Sequence, residues 1–218
     1  MQRLRHPNIV LFMGSCSNPP NLLLVTELLV NGSFFDIYHK RPKPATSELL
    51  TLSLNITLDM AKGLAYLHNH DPVIIHRDLK SQNIMLDEKM TTKIGDFGLS
   101  KFREIGKTMS ICGSPLWVAP EVLRGEKYGC ACDVYSFGII VWEALAWSEP
   151  YPDMGSTDVM NGVACGTLRP QAPPETPPDL ATILESCWAT KPETRPSFDD
   201  LVPKLQEIRN NVFSLHNS

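Results

Sequence analysis

Two carboxylates, a lysine and an amide fall close together near the middle of the chain. Asp78 is followed two residues on by Lys80 and three further by Asn83, and Asp96 completes the set. An amide oxygen and a carboxylate are hard ligands of the kind Mg2+ takes, with its other positions left to water and substrate phosphates. A second carboxylate beside a hydroxyl can orient it or accept its proton, and an ammonium group offsets phosphate charge. Brought together, the four would hold a metal ion, a phosphate and a nucleophilic hydroxyl.

The flanking sequence supplies elements that would bring them together. Ile84-Met85-Leu86-Asp87 and Thr92-Lys93-Ile94-Gly95 read as short strands around the polar turn Glu88-Lys89-Met90-Thr91, a hairpin with a four-residue loop. Pairing Asp87 with Thr92 sets Asn83 opposite Asp96, with facing Cα atoms roughly 5 Å apart. Asp78 and Lys80 then lie on the loop that enters the first strand.

In full the stretch reads His76-Arg77-Asp78-Leu79-Lys80-Ser81-Gln82-Asn83, then Asp96-Phe97-Gly98, then Ala119-Pro120-Glu121. In order and spacing it resembles the catalytic-loop, metal-loop and Ala-Pro-Glu motifs of protein kinases. Gly113 to Glu121, Cys187-Trp188 and Arg195-Pro196-Ser197-Phe198 resemble the tyrosine-kinase-like group of the Raf and mixed-lineage type, and Lys80 follows that family's serine/threonine pattern. The resemblance implies an α+β kinase-like fold, with residues 1–29 as a remnant of the smaller lobe and its hinge and residues 30–218 as a mostly helical larger lobe. It implies ATP and Mg2+ as cofactors. Asp78, Lys80 and Asn83 would be catalytic, with Asn83 and Asp96 on the metal. Thr26 would be the gatekeeper, Glu27 and Leu29 the main-chain partners of adenine, and Met85 and Asp96 the rest of the nucleotide site. His76, Phe97, Glu121, Asp133 and Arg195 take structural roles, Asp133 holding the catalytic-loop backbone and Arg195 pairing with Glu121. Hydroxyls at Ser100, Thr108, Ser110 and Ser114 resemble an activation segment, in which a phosphate on Thr108 or Ser110 would pair with Arg77. The implied partners are ATP and a protein bearing a serine or threonine hydroxyl, with upstream regulatory domains or a dimer partner.

Elsewhere, 43% hydrophobic content fits a globular chain rather than a disordered one, and a net charge of −4 without a basic stripe argues against nucleic acid as the main partner. The longest apolar run, Phe137 to Trp147, is broken by Glu143 and too short to span a bilayer, and the six cysteines form no C-x-x-C pair or disulfide framework. The expectation is a cytoplasmic chain with buried thiols. Pro7 to Gly14 and Leu22 to Glu27 predict two strands. Helices are predicted over Ser33 to His39, Ser47 to His68, Asp133 to Trp147 with Trp142 buried, Asp158 to Cys165, Leu180 to Trp188 and Phe198 to Asn210. His68 and His70 suit the end of the second helix through its dipole.

No two of the thirteen glycines are separated by a single residue, so the chain holds no Gly-x-Gly phosphate loop, and every lysine follows the hinge, from Lys40 onward. Three expectations stand side by side: a kinase domain shortened at its N-terminus, a pseudokinase acting as a binding module, and a magnesium-dependent phosphohydrolase built on Asp78 and Asp96.

Overall fold

The computed structural model describes residues 4–17, 23–96, 101–102 and 114–216. Its centre is the most apolar stretch of the sequence, Ala131–Ala146 (α4), which ends where Trp147 turns left-handed (φ 59°). Tyr135, Phe137, Ile139, Ile140, Val141 and Ala144 have essentially no exposed surface. A helix buried on nearly every side needs partners all round. One is Thr46–His68 (α2), whose Ser53 hydroxyl donates to the Ala144 carbonyl at 2.7 Å. Another is Pro178–Cys187 (α6), where Gly138 makes room: a Cβ there would sit 2.9 Å from Cys187 Cβ. Phe198–His216 (α7) packs along α2. Trp142 departs from the expectation of burial, since it is only partly covered and its indole donates to the Gln171 carbonyl at 2.6 Å.

Smaller elements hang on this body. Phe34–Lys40 (α1) starts at a capping box in which Ser33 and Asp36 satisfy one another's backbone amides. Pro120–Leu123 (α3) and Ser156–Cys165 (α5) pack on each other. Phe12–Cys16 (β1) pairs antiparallel with Leu23–Thr26 (β2), Ile74–Ile75 (β3) with Lys101–Phe102 (β6), and Ile84–Leu86 (β4) with Thr92–Ile94 (β5). The α+β expectation, mostly helical with a small remnant of sheet, holds.

Two strand expectations are corrected. The first predicted strand splits, because Ile9 is buried while Leu11 and Met13 are exposed. Its first half runs beside β5, with the Val10 amide on the Ile94 carbonyl (2.9 Å) and the Ile94 amide on the Asn8 carbonyl (3.0 Å). Only the second half forms β1. In the other hairpin the loop is one residue shorter than expected, with Leu86 facing Thr92 and Asp87 bonded to Thr91. Met90 takes a left-handed conformation (φ 62°), and the Asp87 carboxylate accepts from the amides of Lys89 and Thr91, both at 2.9 Å, which closes the turn early. Asn83 therefore lies opposite Gly95, and Asp96 is one residue beyond. Among the described residues no helix is long and apolar enough to cross a membrane.

Candidate active site

The loop from His76 to Asn83 is held from below by the start of α4. Asp133, fully buried, accepts from the His76 amide at 2.8 Å and the Arg77 amide at 2.9 Å, one on each carboxylate oxygen. The His68 ring lies 2.9 Å from the same carboxylate, so this histidine does more than complement a helix dipole. Arg77 has φ 71°, a conformation costly for a residue with a Cβ and kept only where the surroundings over-determine it. The two bonds to Asp133 provide that constraint. His76, with no exposed surface, donates from Nε2 to the Gly95 carbonyl at 2.9 Å, and this fixes Nδ1 as the acceptor facing the Asp78 amide at 3.4 Å. One ring thus joins the loop to the β5 end.

Asp78 emerges from this support with its side chain about a tenth exposed (11%). Lys80 Nζ lies 3.1 Å from its Oδ2 and donates to Ser114 Oγ at 2.9 Å, while the Ser114 hydroxyl donates to Asp78 Oδ1 at 3.1 Å. The carboxylate is thereby oriented by an ammonium on one oxygen and a hydroxyl on the other. Ser114 entered the sequence reading only as one loop hydroxyl among several; its spacing from Asp78 carries no local signal for this contact.

Asn83 closes the turn Ser81–Asn83, its own amide bonded to the Lys80 carbonyl at 2.9 Å. Its side-chain Nδ2 donates to the Asp78 carbonyl at 2.8 Å, which commits the nitrogen and leaves the oxygen as the end that accepts. The Gly95 amide on the Asn83 carbonyl at 2.9 Å brings Asp96, exposed and at φ 51°, next to it. The Asn83 amide oxygen and the Asp96 carboxylate, one residue beyond the Gly95 that faces Asn83, are hard oxygen ligands of the kind Mg2+ takes alongside the phosphates of a nucleotide. His76, with both ring nitrogens engaged, is no metal ligand. Among the described residues no group of three or more His, Cys, Asp or Glu could hold a metal, which leaves the phosphohydrolase expectation without a ligand cluster there.

The other site residues lie as follows. Thr26 ends β2, exposed, opposite Phe12. The Glu27 amide is spent on the Leu11 carbonyl at 3.0 Å, leaving its own carbonyl, while its carboxylate pairs with Lys93 at 2.9 Å. Leu29 is buried and accepts from the Gly32 amide at 3.1 Å; Met85, half-buried, bridges to Ser33. Arg77 packs among Val118, Ala119 and Tyr128, with Nη1 3.4 Å from the Tyr128 hydroxyl. Phe97, Ser100, Thr108 and Ser110 lie outside the described residues. Glu121 and Arg195 form a fully buried two-pronged pair, both contacts at 2.8 Å, and the same guanidinium donates to the carbonyls of Ala189 and Ala131.

Residues 1–205 match the family described as protein tyrosine and serine/threonine kinase. The chain is similar to the serine/threonine-protein kinase CTR1 of Arabidopsis thaliana, 43% identical over 95% of this chain and 26% of that protein. It is also similar to the protein named "Probable serine/threonine-protein kinase drkA" of Dictyostelium discoideum, 40% identical over 98% of this chain and 33% of the relative. The chain thus spans a third or less of the length of these curated relatives.

Proposed function

The chain belongs to the protein tyrosine and serine/threonine kinase family, and from that premise we propose that it carries the larger lobe and hinge of a kinase that transfers the γ-phosphate of Mg-ATP to serine or threonine hydroxyls of a protein. One observation carries this reading. Asp78 is held between Lys80 Nζ and Ser114 Oγ, and its backbone carbonyl accepts from the Asn83 side-chain amide. Asp78 orients the incoming hydroxyl and takes its proton, Lys80 offsets charge on the moving phosphate, and Asn83 with Asp96 holds the metal ion. ATP supplies the phosphoryl group; the work left to the protein is positioning and charge stabilisation.

Residues 1–29 serve as part of the smaller lobe, with the Glu27 carbonyl and the Leu29 amide turned to adenine, and residues 30–218 as the larger one. Arg77 is the guanidinium for an activation-segment phosphate on Thr108 or Ser110. A second reading, a pseudokinase acting as a binding or scaffolding module without transfer, draws on two features: the 218 residues hold no Gly-x-Gly and no lysine before Lys40. Removing one charge-stabilising contact typically costs on the order of 10²–10³ in rate, so the chain by itself is expected to transfer feebly.

The test compares Asp78→Asn and Asp96→Asn in the longest form of the protein that holds these residues. Phosphate incorporation into a serine/threonine peptide and Mg-ATP binding by calorimetry are measured together. Asp78→Asn should abolish most turnover with nucleotide affinity nearly intact, whereas Asp96→Asn should weaken Mg-ATP binding as well. Turnover indifferent to Asp78 overturns the assignment, and Mg-ATP binding without any turnover selects the module.

A further inference from the structure

Glu143 lies on α4 with no exposed surface, inside the most apolar helix of the chain. Three donors from three separate segments converge on its carboxyl. The Tyr38 hydroxyl from α1 (3.0 Å) and the Ser81 hydroxyl (2.8 Å) reach Oε1, and the Trp117 indole reaches Oε2 at 2.6 Å. A carboxyl at this depth is costly, and a leucine of similar size would pack there without that cost. Core stability alone therefore does not account for it.

What it grips is informative. Ser81 follows Lys80 directly and opens the turn that ends at Asn83. Trp117 closes a turn on Ser114, its amide 3.0 Å from the Ser114 carbonyl, and Ser114 is the residue whose hydroxyl touches Asp78. One carboxyl thus touches both segments that meet at the Asp78–Lys80–Ser114 cluster. Tyr38 adds the helix that begins just after the hinge.

We propose that Glu143 is a positioning residue for phosphoryl transfer: its carboxyl ties the Ser81–Asn83 turn to the Ser114–Trp117 segment and so sets the spacing of Lys80, Ser114 and Asp78. This rests on the phosphotransfer function above. The carboxyl acts through Ser81 and Trp117 and touches no substrate. Burial pushes it up to about 8, against the pull of Trp117, Ser81 and Tyr38, so a neutral side chain of the same shape is a fair replacement near pH 7. Glutamine can accept from the Trp117 indole and donate to either hydroxyl, since hydroxyls also accept. Leucine can do neither.

The test uses the 218-residue chain. Hydrogen–deuterium exchange is followed in Glu143→Gln, Glu143→Leu and Ile140→Ala, the last a purely apolar change on the same helix. Glu143→Leu should raise exchange about tenfold or more in residues 78–83 and 114–118, by loss of the bonds to Ser81 and Trp117, while the interior of α4 keeps its protection. Glu143→Gln should restore both segments, and Ile140→Ala should raise exchange without favouring them. The Trp117 indole proton, identified by its loss in Trp117→Phe, should move upfield in Glu143→Leu. Should Glu143→Leu fail to fold, Ser81→Ala and Trp117→Phe each remove one donor and should loosen their own segment. In the longest form of the protein that holds these residues, Glu143→Leu should lower kcat about a hundredfold with peptide KM little changed, and Glu143→Gln should recover most of it. Exchange rising evenly over the whole chain, an unmoved indole signal, or normal kcat with both segments loosened overturns the proposal. Loosened segments in a protein that never transfers phosphate overturn the proposed function instead and leave the tether standing.

Discussion

At the scale of single residues, three buried ionisable groups give the chain a definite pH dependence. Burial disfavours the His68 imidazolium, but its hydrogen bonds to Asp133 and Cys130 outweigh this and raise it from 6.5 to about 9. A raised histidine contributes fully below its unfolded value, and the contribution fades as pH rises through about 9. Asp133 is lowered despite complete burial, because His68 and the loop amides favour its anion; its share is present above the ordinary carboxylate range and is lost in acid. Glu143 runs the other way. Its folded value near 8 exceeds the unfolded 4.5, so the native state holds the extra proton and stability falls as pH rises between the two. The groups facing it are Tyr38, Ser81 and Trp117, with Glu149 adding like charge. Urea midpoints of the chain should therefore decline from pH 5 to pH 9. Glu143→Gln should flatten the lower part of that slope and His68→Gln the upper part. A midpoint rising over this range would contradict both assignments.

At the scale of elements, α4 is the one whose packing matters most to the site, because its first turn carries Asp133 and its last carries Glu143. Phe137 has 1% exposure and meets Phe198 edge-on, with ring centroids 5.2 Å apart. Phe137→Ala should cost about 3–5 kcal/mol by denaturant unfolding. Trp142→Ala should cost clearly less, since that ring is only partly covered. Gly138→Ala tests the α4–α6 approach from the opposite direction: the added methyl would meet Cys187 Cβ at 2.9 Å, and separating two helices should cost about 1–3 kcal/mol. Equal losses for Phe137→Ala and Trp142→Ala would show that the edge of α4 is buried more deeply than described.

Across the whole molecule, two features stand out. The Glu121–Arg195 pair joins α3 to the segment before α7, and the guanidinium also lies 5.2 Å from the Tyr135 ring centroid. Arg195→Ala would leave a buried carboxylate unpaired and should cost about 3–5 kcal/mol, read as a lowered thermal midpoint. The β1–β2 hairpin and the stretch after it have the opposite character, with Met13, Leu24, Leu28 and Val30 each more than 60% exposed. Exposed apolar side chains on and just after a two-stranded hairpin promote association. Sedimentation of the chain should show concentration-dependent self-association, and Leu24→Lys with Leu28→Lys should shift it toward monomer. A strictly monomeric chain at high concentration would show that these side chains are innocuous.

The sequence by itself determined the family, because the Asp78–Asn83 loop, Asp96-Phe97-Gly98 and Ala119-Pro120-Glu121 are local patterns whose order survives without coordinates. It also determined the long helices, since their apolar faces repeat every turn; the start of α2 was expected at Ser47 and is found at Thr46. Register was harder to foresee. Whether Asn83 faces Gly95 or Asp96 turned on one left-handed residue, Met90, and nothing in its side chain announces that conformation. The contacts of Ser114 with Asp78, of His68 with Asp133 and of Tyr38, Ser81 and Trp117 with Glu143 join residues 26 to 105 positions apart. Pairings of that range are decided by how α1, α2 and α4 pack, so in the sequence Glu143 was only the interruption in an apolar run.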